Sequence, residues 1–346
     1  MGAALREETE TVVSTPALSV IIPMYDEEAV LPLLAERLRP VLDDVQRRFG
    51  DYELVAVDDG SRDATPVVLE RLRREWPQLR VIRLRANAGH QAALSAGLSR
   101  ARGAWVATLD ADLQDPPEAL PAMLQRAAGG DVDVVYGVRS DRSADTAFKR
   151  LTARMYYRAM HRLVGGHVPA DAGDFRLMSR ATVDAVNRLP EHHRVLRLVV
   201  PALGFPSDVV GYRRDSRAAG RTKYSLGRMV RLSVDSLTGF SVAPLRLATW
   251  FGLGGALVTA LLLAIAMIAW ATGRTVPGWT STFVAVAAVG AVQLLCLGLL
   301  GEYVGRLYTQ LQGRPAYHVA FDSDDTATGP PDADPLRRPS ISQTDH

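Results

Sequence analysis

Over the first half of the chain, apolar and polar positions alternate between two periods. Leu18 to Pro23 is an apolar, β-branched run stopped by proline, which predicts a strand. From about Glu27 to Arg48 the period becomes helical, with Leu31, Leu34, Leu38, Val41 and Val45 on one face. Tyr52 to Val57 predicts a second strand, and Ser61 or Asp63 can cap a helix through Val67, Leu69, Leu72 and Arg73. Leu79 to Leu84 predicts a third strand. Asn87-Ala88-Gly89-His90 then opens a small-residue helix from Gln91 to Ala101. Trp105 to Leu109 reads as a fourth, buried strand and Val132 to Gly137 as a fifth. Strands and helices alternating at this spacing predict an α/β fold, doubly wound around a mostly parallel sheet.

The second half has a different pattern. Leu247 to Gly273 holds no charged residue, and Thr275 to Gly301 holds none either. At helical rise each run reaches roughly 40 Å, beyond the ~30 Å of a bilayer core, so two transmembrane α-helices are expected. Trp250, Trp270 and Trp279 fall near the expected interfaces. Arg221, Lys223, Arg228, Arg231 and Arg246 precede the first run, Arg306 and Arg314 follow the second, and only Arg274 lies between them. The positive-inside bias therefore predicts a multi-pass protein of the cytoplasmic (inner) membrane with both termini in the cytoplasm. Gly252, Gly254 and Gly255 permit close helix packing, which leaves room for a homo-oligomer without fixing one.

These patterns divide the chain. Residues 1–16 carry Glu7, Glu8 and Glu10 without an apolar core, and read as a disordered segment rather than a signal peptide. Residues 17–223 form the expected cytoplasmic catalytic domain. Within it, residues 137–166 interleave Arg139, Arg142, Lys149, Arg150, Arg154, Arg158 and Arg162 with apolar positions. That segment suits a membrane surface or an acidic lipid, an ordinary surface helix being the plainer alternative. Residues 224–245 read as an amphipathic juxtamembrane helix and 246–303 as the hairpin. Residues 304–346 read as a cytoplasmic tail, disordered from about 322.

Composition narrows the chemistry. The formal charge of the 346 residues is only +2, which gives no reason to expect a nucleic-acid partner. The single cysteine, Cys296, lies in an apolar run, so neither a disulfide framework nor a cysteine metal site is available. Each expected strand ends in a polar cluster: Tyr25 to Glu27, Asp58 with Asp59, Asn87, and Asp110 with Asp112. In a parallel sheet such ends share one edge, where open α/β sheets bind ligands. Two carboxylates one residue apart suit Mg²⁺ or Mn²⁺ held with few protein contacts. The chain has neither GxGxxG after its first strand nor a P-loop, so phosphate must be handled by metal and basic residues.

With these pieces placed, the chain resembles family 2 glycosyltransferases, specifically polyprenyl-phosphate glycosyltransferases similar to dolichyl-phosphate mannose synthase. The two-span bacterial polyprenyl-phosphate glucosyltransferases are the nearest in pattern. The resemblance covers roughly Ser19 to Arg314. It rests on Pro23-Met24-Tyr25-Asp26-Glu27, Val57 to Asp63, Asn87-Ala88-Gly89, Asp110 to Glu118, Gly173 to Leu177 and Arg217 to Tyr224. The first motif usually has Asn at the position of Asp26, and the last usually has Ser where Thr222 stands.

The resemblance implies a GT-A type fold and a set of roles. Pro23, Tyr25, Glu27 and Asp58 would line the nucleoside pocket with Asp59 nearby, and Asp110, Asp112 and Gln114 would hold the metal against the diphosphate. Arg139 and Arg150 would grip the lipid phosphate and Lys223 would sit by the phosphates. Asp174 would face the reacting carbon, with Arg176 and Arg217 supporting the anionic groups. The implied reaction is an inverting transfer of a hexose from a nucleotide sugar, UDP-glucose ahead of GDP-mannose, to polyprenyl phosphate. The acceptor is a phosphate monoester with a second pKa near ~6, so a strong general base is less necessary than for a sugar hydroxyl. A processive polysaccharide synthase is a rival, but its Gln-x-x-Arg-Trp motif is missing. An inactive lipid-phosphate-binding scaffold is another, which an assay of nucleotide-sugar hydrolysis would separate.

Overall fold

A computed structural model of the chain describes residues 15–139, 172–191, 194–213, 243–272 and 278–327. In chain order these hold β1 (Leu18–Met24), α1 (Leu31–Phe49), β2 (Tyr52–Asp58), α2 (Thr65–Glu75), β3 (Leu79–Leu84), α3 (His90–Arg100) and β4 (Trp105–Thr108). They continue with α4 (Leu120–Ala127), β5 (Val134–Arg139), β6 (Ala172–Ser179), α5 (Arg180–Arg188), α6 (Leu196–Ala202) and β7 (Ser207–Tyr212). Two long helices, α7 (Ala243–Ala271) and α8 (Trp279–Leu311), are followed by β8 (Val319–Asp322) and a short helix, Ser323–Ala327. The chain forms two compact units. One contains residues 1–157, 166–221 and 315–346, and the other contains 158–165 and 222–314.

The first unit is built on one sheet of order β7-β5-β6-β4-β1-β2-β3-β8. The expected parallel core is present, β1 lying between β2 and β4 and β2 against β3. Apolar side chains explain it: Leu18, Val20, Ile22, Leu38, Leu42 and Val45 are all inaccessible to solvent. Helix α1 buries Leu42 where periodicity pointed to Val41. Helix α3 lies so close to the sheet that a Cβ on Gly97 would come within 2.4 Å of the Ile21 side chain. That approach accounts for its run of small residues.

Three features depart from the expectation. Strand β6 is antiparallel and inserted between β4 and β5. Because it runs opposite to its neighbours, it starts at the edge where β4 ends, with Thr108 opposite Arg176. Helix α1 starts at Leu31 rather than near Glu27, since the amides of Glu27 and Glu28 are already bonded to Thr65 Oγ1 (2.9 Å) and Asp63 Oδ2 (3.2 Å). Beyond the long helices, disorder was expected from about 322, but residues 322–327 continue from β8 into the Ser323–Ala327 helix; residues 328–346 lie outside the described residues. Strand β8 pairs antiparallel with β3, so the chain returns to the same sheet after the long helices.

In the second unit, α7 and α8 present many large apolar side chains outward, among them Leu257 and Leu294. Among the described residues, one window, Ala288–Gly305 with mean hydropathy 1.5, is long and apolar enough to cross a membrane. The corresponding run in α7 covers Ala248–Val258. The segment expected at 224–245 lies outside the described residues but for its last three positions, and most of 137–166 lies outside them as well.

Candidate active site

The loops after β1, β2 and β3 are knitted together at the carboxyl edge. Asp58, at the end of β2, is buried and accepts the Ser61 amide on Oδ1 at 2.9 Å. Its neighbour Asp59 faces the next loop and accepts the amides of Ala88 at 2.7 Å and Gly89 at 2.8 Å. Expected beside the nucleotide, Asp59 instead braces the loop before α3: both its oxygens are occupied by backbone donors and its side chain is buried. Burial lifts its carboxyl above the ordinary range, opposed by those two amides. Gly60, at φ +68°, lets the two loops touch, since a Cβ there would sit 2.8 Å from the backbone of Ala86 and Asn87.

The motif after β1 is tied to the same loop. Asp26 has φ +52°, donates its amide to Ser61 Oγ at 3.0 Å and accepts the Arg62 amide on Oδ1 at 2.8 Å. Asn and Asp tolerate this left-handed conformation, so Asp in place of the usual Asn preserves the turn. Pro23 is buried within β1, whereas Tyr25 and Glu27 are half-buried in the turn.

Strand β4 ends at Thr108, and the Leu109 amide still bonds Ile21 O at 3.0 Å, carrying the chain on to Asp110. Leu113 turns the loop at φ +58°, and Asp112 Oδ1 accepts the Gln114 amide at 3.1 Å. Asp115 is buried, accepts the Tyr212 hydroxyl, and lies 3.9 Å from Arg139 Nη2 at the end of β5. Arg139 is thereby placed beside the carboxylate loop. Arg150, Arg217 and Lys223 lie outside the described residues.

The antiparallel start of β6 brings Asp174 to this loop. Its Oδ1 accepts Arg176 Nη2 at 2.9 Å, and its Oδ2 accepts Gln91 Nε2 at 3.3 Å. His90 Nε2 stands between two carboxylates, 3.3 Å from Asp174 Oδ2 and 3.5 Å from Asp110 Oδ1. Burial alone would raise the Asp174 pKa, but His90 and the charges of Arg176 and Arg197 outweigh it and hold the carboxyl well below its usual range. Burial opposes charge on His90 too, yet Asp174 and Asp110 leave its imidazole above the ordinary value. Asp110 moves the other way: burial, with repulsion from Asp174, Asp115 and Asp112, lifts it to about 6 against the pull of His90.

Arg176 was expected to support a substrate phosphate. Its side chain is 1% exposed, and it donates to Leu196 O at 2.8 Å, to Gly173 O at 3.0 Å and to Asp174. It is an internal strut for Asp174, since a guanidinium flanked by β4 and β5 has no route to a surface anion. Asp110 Oδ1, by contrast, is buried and receives no hydrogen bond. With Asp112 two residues on and Gln114 beyond it, this acceptor belongs to a set of hard oxygen donors that fits a divalent cation. The set is open-sided, for among the described residues no group of three or more His, Cys, Asp or Glu is placed to enclose a metal.

The family described as glycosyl transferase family 2 matches residues 19–186. An uncharacterised glycosyltransferase of Bacillus subtilis is 39% identical over 87% of this chain and 92% of its own length. The chain belongs to glycosyltransferase family 2. A prophage-derived bactoprenol glucosyl transferase of Shigella flexneri is 35% identical to this glycosyltransferase over 87% of the chain and 97% of its own length. Among solved structures, glucosyl-3-phosphoglycerate synthase of Mycobacterium tuberculosis shares 22% identity at a TM-score of 0.48, covering 65% of this chain and 80% of that one.

For this glycosyltransferase, sequence reasoning missed His90 and Gln91 as site residues. The signal available was their position: the first two residues of a helix that opens directly behind a polar strand end. Asp115 and Tyr212 were missed because only the sheet order brings β7 to the carboxylate loop.

Proposed function

We propose that this glycosyltransferase is a membrane-bound, metal-dependent inverting enzyme that moves glucose from UDP-glucose to polyprenyl phosphate. The observation that carries this reading is the meeting of Asp110 and Asp112 with the Asp174–His90–Arg176 cluster at one sheet edge, beside Arg139. The likeness to bactoprenol glucosyl transferases over nearly their whole length supports the acceptor and the sugar. Mg²⁺ or Mn²⁺ held by Asp110, Asp112 and Gln114 would supply Lewis-acid neutralisation of the departing diphosphate. Asp58, Tyr25 and Glu27 hold the nucleoside side of the donor.

Asp174, with its carboxyl held below the usual range and its oxygens bonded by Arg176 and Gln91, is suited to orient the reacting groups rather than to collect a proton. None is required, because a phosphate monoester is largely ionised at neutral pH. Arg139 offers a cation to the acceptor phosphate, and Arg150, Arg217 and Lys223 are assigned to the same anionic groups by the family resemblance. Holding anion and sugar together converts encounter into a positioned attack, and a single displacement inverts the anomeric centre. Helices α7 and α8, 29 and 33 residues long, are read as a two-span hairpin with both termini cytoplasmic.

The test is to incubate membranes containing the protein with radiolabelled UDP-glucose or GDP-mannose and polyprenyl phosphate, then extract lipid. Label from UDP-glucose should enter the lipid fraction and be lost on chelation. Label from GDP-mannose alone would overturn the sugar assignment, and nucleotide-sugar hydrolysis without labelled lipid would overturn the acceptor.

A further inference from the structure

A cavity of about 310 Å³ opens between α2 and the far edge of the sheet, away from the Asp174 cluster, with Asp58, Val67, Arg74, Val81, Arg83 and Phe321 in its lining. Three of these residues form a row across three strands. Asp58 of β2 is opposite Arg83 of β3, and Arg83 is opposite Phe321 of β8. Directly opposed residues project from the same face of a sheet, so the row faces the cavity as a unit.

Each member brings a different capacity. The Asp58 side chain is only 1% exposed, yet its Oδ2 receives no hydrogen bond; Arg83 Nε is 3.2 Å away with its N–H not aimed at that oxygen. A buried carboxylate oxygen in this state has accepting capacity that the protein leaves unmet. Arg83, one-third exposed, offers donors beside it. Phe321 is half-buried against the core and gives a flat apolar wall. On the opposite side Val67 is 61% exposed, an aliphatic surface left open on an otherwise amphipathic helix.

The nucleotide-sugar reading already places the base beside Asp58, and we propose that Phe321, from the strand after the long helices, supplies the aromatic wall of that subsite. The inference rests on the nucleotide-sugar reading above and adds a residue that lies outside the matched family region. A ring N–H next to a carbonyl, as on uracil or guanine, pairs its donor with Asp58 and its acceptor with Arg83, while the ring lies between Phe321 and Val67. The placement also suits the donor's length. From the end of β4, where the metal carboxylates stand, two to three strand steps reach β2 and β3, roughly 10 to 14 Å. A diphosphate and ribose can occupy that interval.

The test uses the full chain in detergent with Mn²⁺, and measures binding of UDP, with GDP in parallel, by calorimetry. Phe321→Leu keeps apolar bulk on β8 but removes the ring, and should weaken the bound nucleotide about tenfold, in the range of base–aromatic stacking. Phe321→Tyr should bind within twofold of the wild type, and inhibition by inorganic pyrophosphate should be the same in all three proteins. Wild-type affinity in Phe321→Leu would overturn the base placement and leave the nucleotide-sugar reading standing. A wild-type protein that binds neither UDP nor GDP, or an Asp58→Asn variant that binds as well as the wild type, would overturn the nucleotide pocket itself.

Discussion

At Asp174 burial and surrounding cations act in opposite directions, and the cations win, holding its carboxyl well below the usual range. The carboxylates of the β4 loop are different, because Asp110 keeps a buried oxygen without a donor. On the proposed reading, removing the second carboxylate should be decisive. Asp112→Ala is expected to reduce glycolipid formation at least ~100-fold while the protein stays in the membrane fraction, since Lewis-acid stabilisation accounts for several kcal/mol of barrier. Retained turnover would contradict the metal assignment. A second expectation concerns Gly60. A Cβ there would meet the Ala86–Asn87 backbone in a left-handed conformation, so Gly60→Ala should cost about 1–3 kcal/mol and be visible as a lowered melting temperature. Asp110 and Asp112 were legible in the sequence because an apolar strand led directly to them. Arg176 was not, because nothing local shows that β6 lies between two other strands. Asp58 and Asp59 read as a pair, but successive residues at a strand end point to opposite sides, so only one could face a ligand.

Among the elements, β8 is held by charge as well as by its ladder. Arg80 donates to both oxygens of Asp322 at 2.9 and 2.8 Å, and Arg100 donates to Oδ2 at 2.6 Å, with the Asp322 side chain fully buried. Asp322→Asn would remove the buried charge shared by two arginines, leaving Arg80 its contact with Asp324 and Arg100 its contact with Asp325, and should destabilise the sheet unit by about 3 kcal/mol, measurable by denaturant melts. The pH dependence follows in sign. Burial would raise the Asp322 pKa, but Arg80, the Asp324 amide and Arg100 hold it below the ordinary value. Its contribution is therefore complete above about pH 4 and declines as the pH falls below that. Acid titration of the wild type should show this loss, and Asp322→Asn should lack it. Strands β1 to β4 were readable because β-branched and other apolar residues dominate each of them. Strand β8 was not, since its four residues include a buried aspartate and pair with residues more than 200 positions earlier.

For the molecule as a whole, the sequence announced a division between a charged half and an apolar one, and the two compact units follow it in outline, with residues 158–165 and 222–246 of the charged part joining the second unit and residues 315–346 joining the first. If α7 and α8 span a bilayer, alkaline carbonate washing should leave the full chain in the membrane pellet; its appearance in the supernatant would contradict the hairpin. The order of the strands has a further consequence. The sheet cannot be finished until residue 322 has left the ribosome, because the partner of β3 is encoded after both long helices. Until then β3 is an open edge, the kind of surface on which nascent chains misassociate and to which chaperones bind. Translation of the apolar stretch thus precedes closure of the enzyme, so a molecule halted midway through synthesis has its carboxylates but neither Phe321 nor a sealed border.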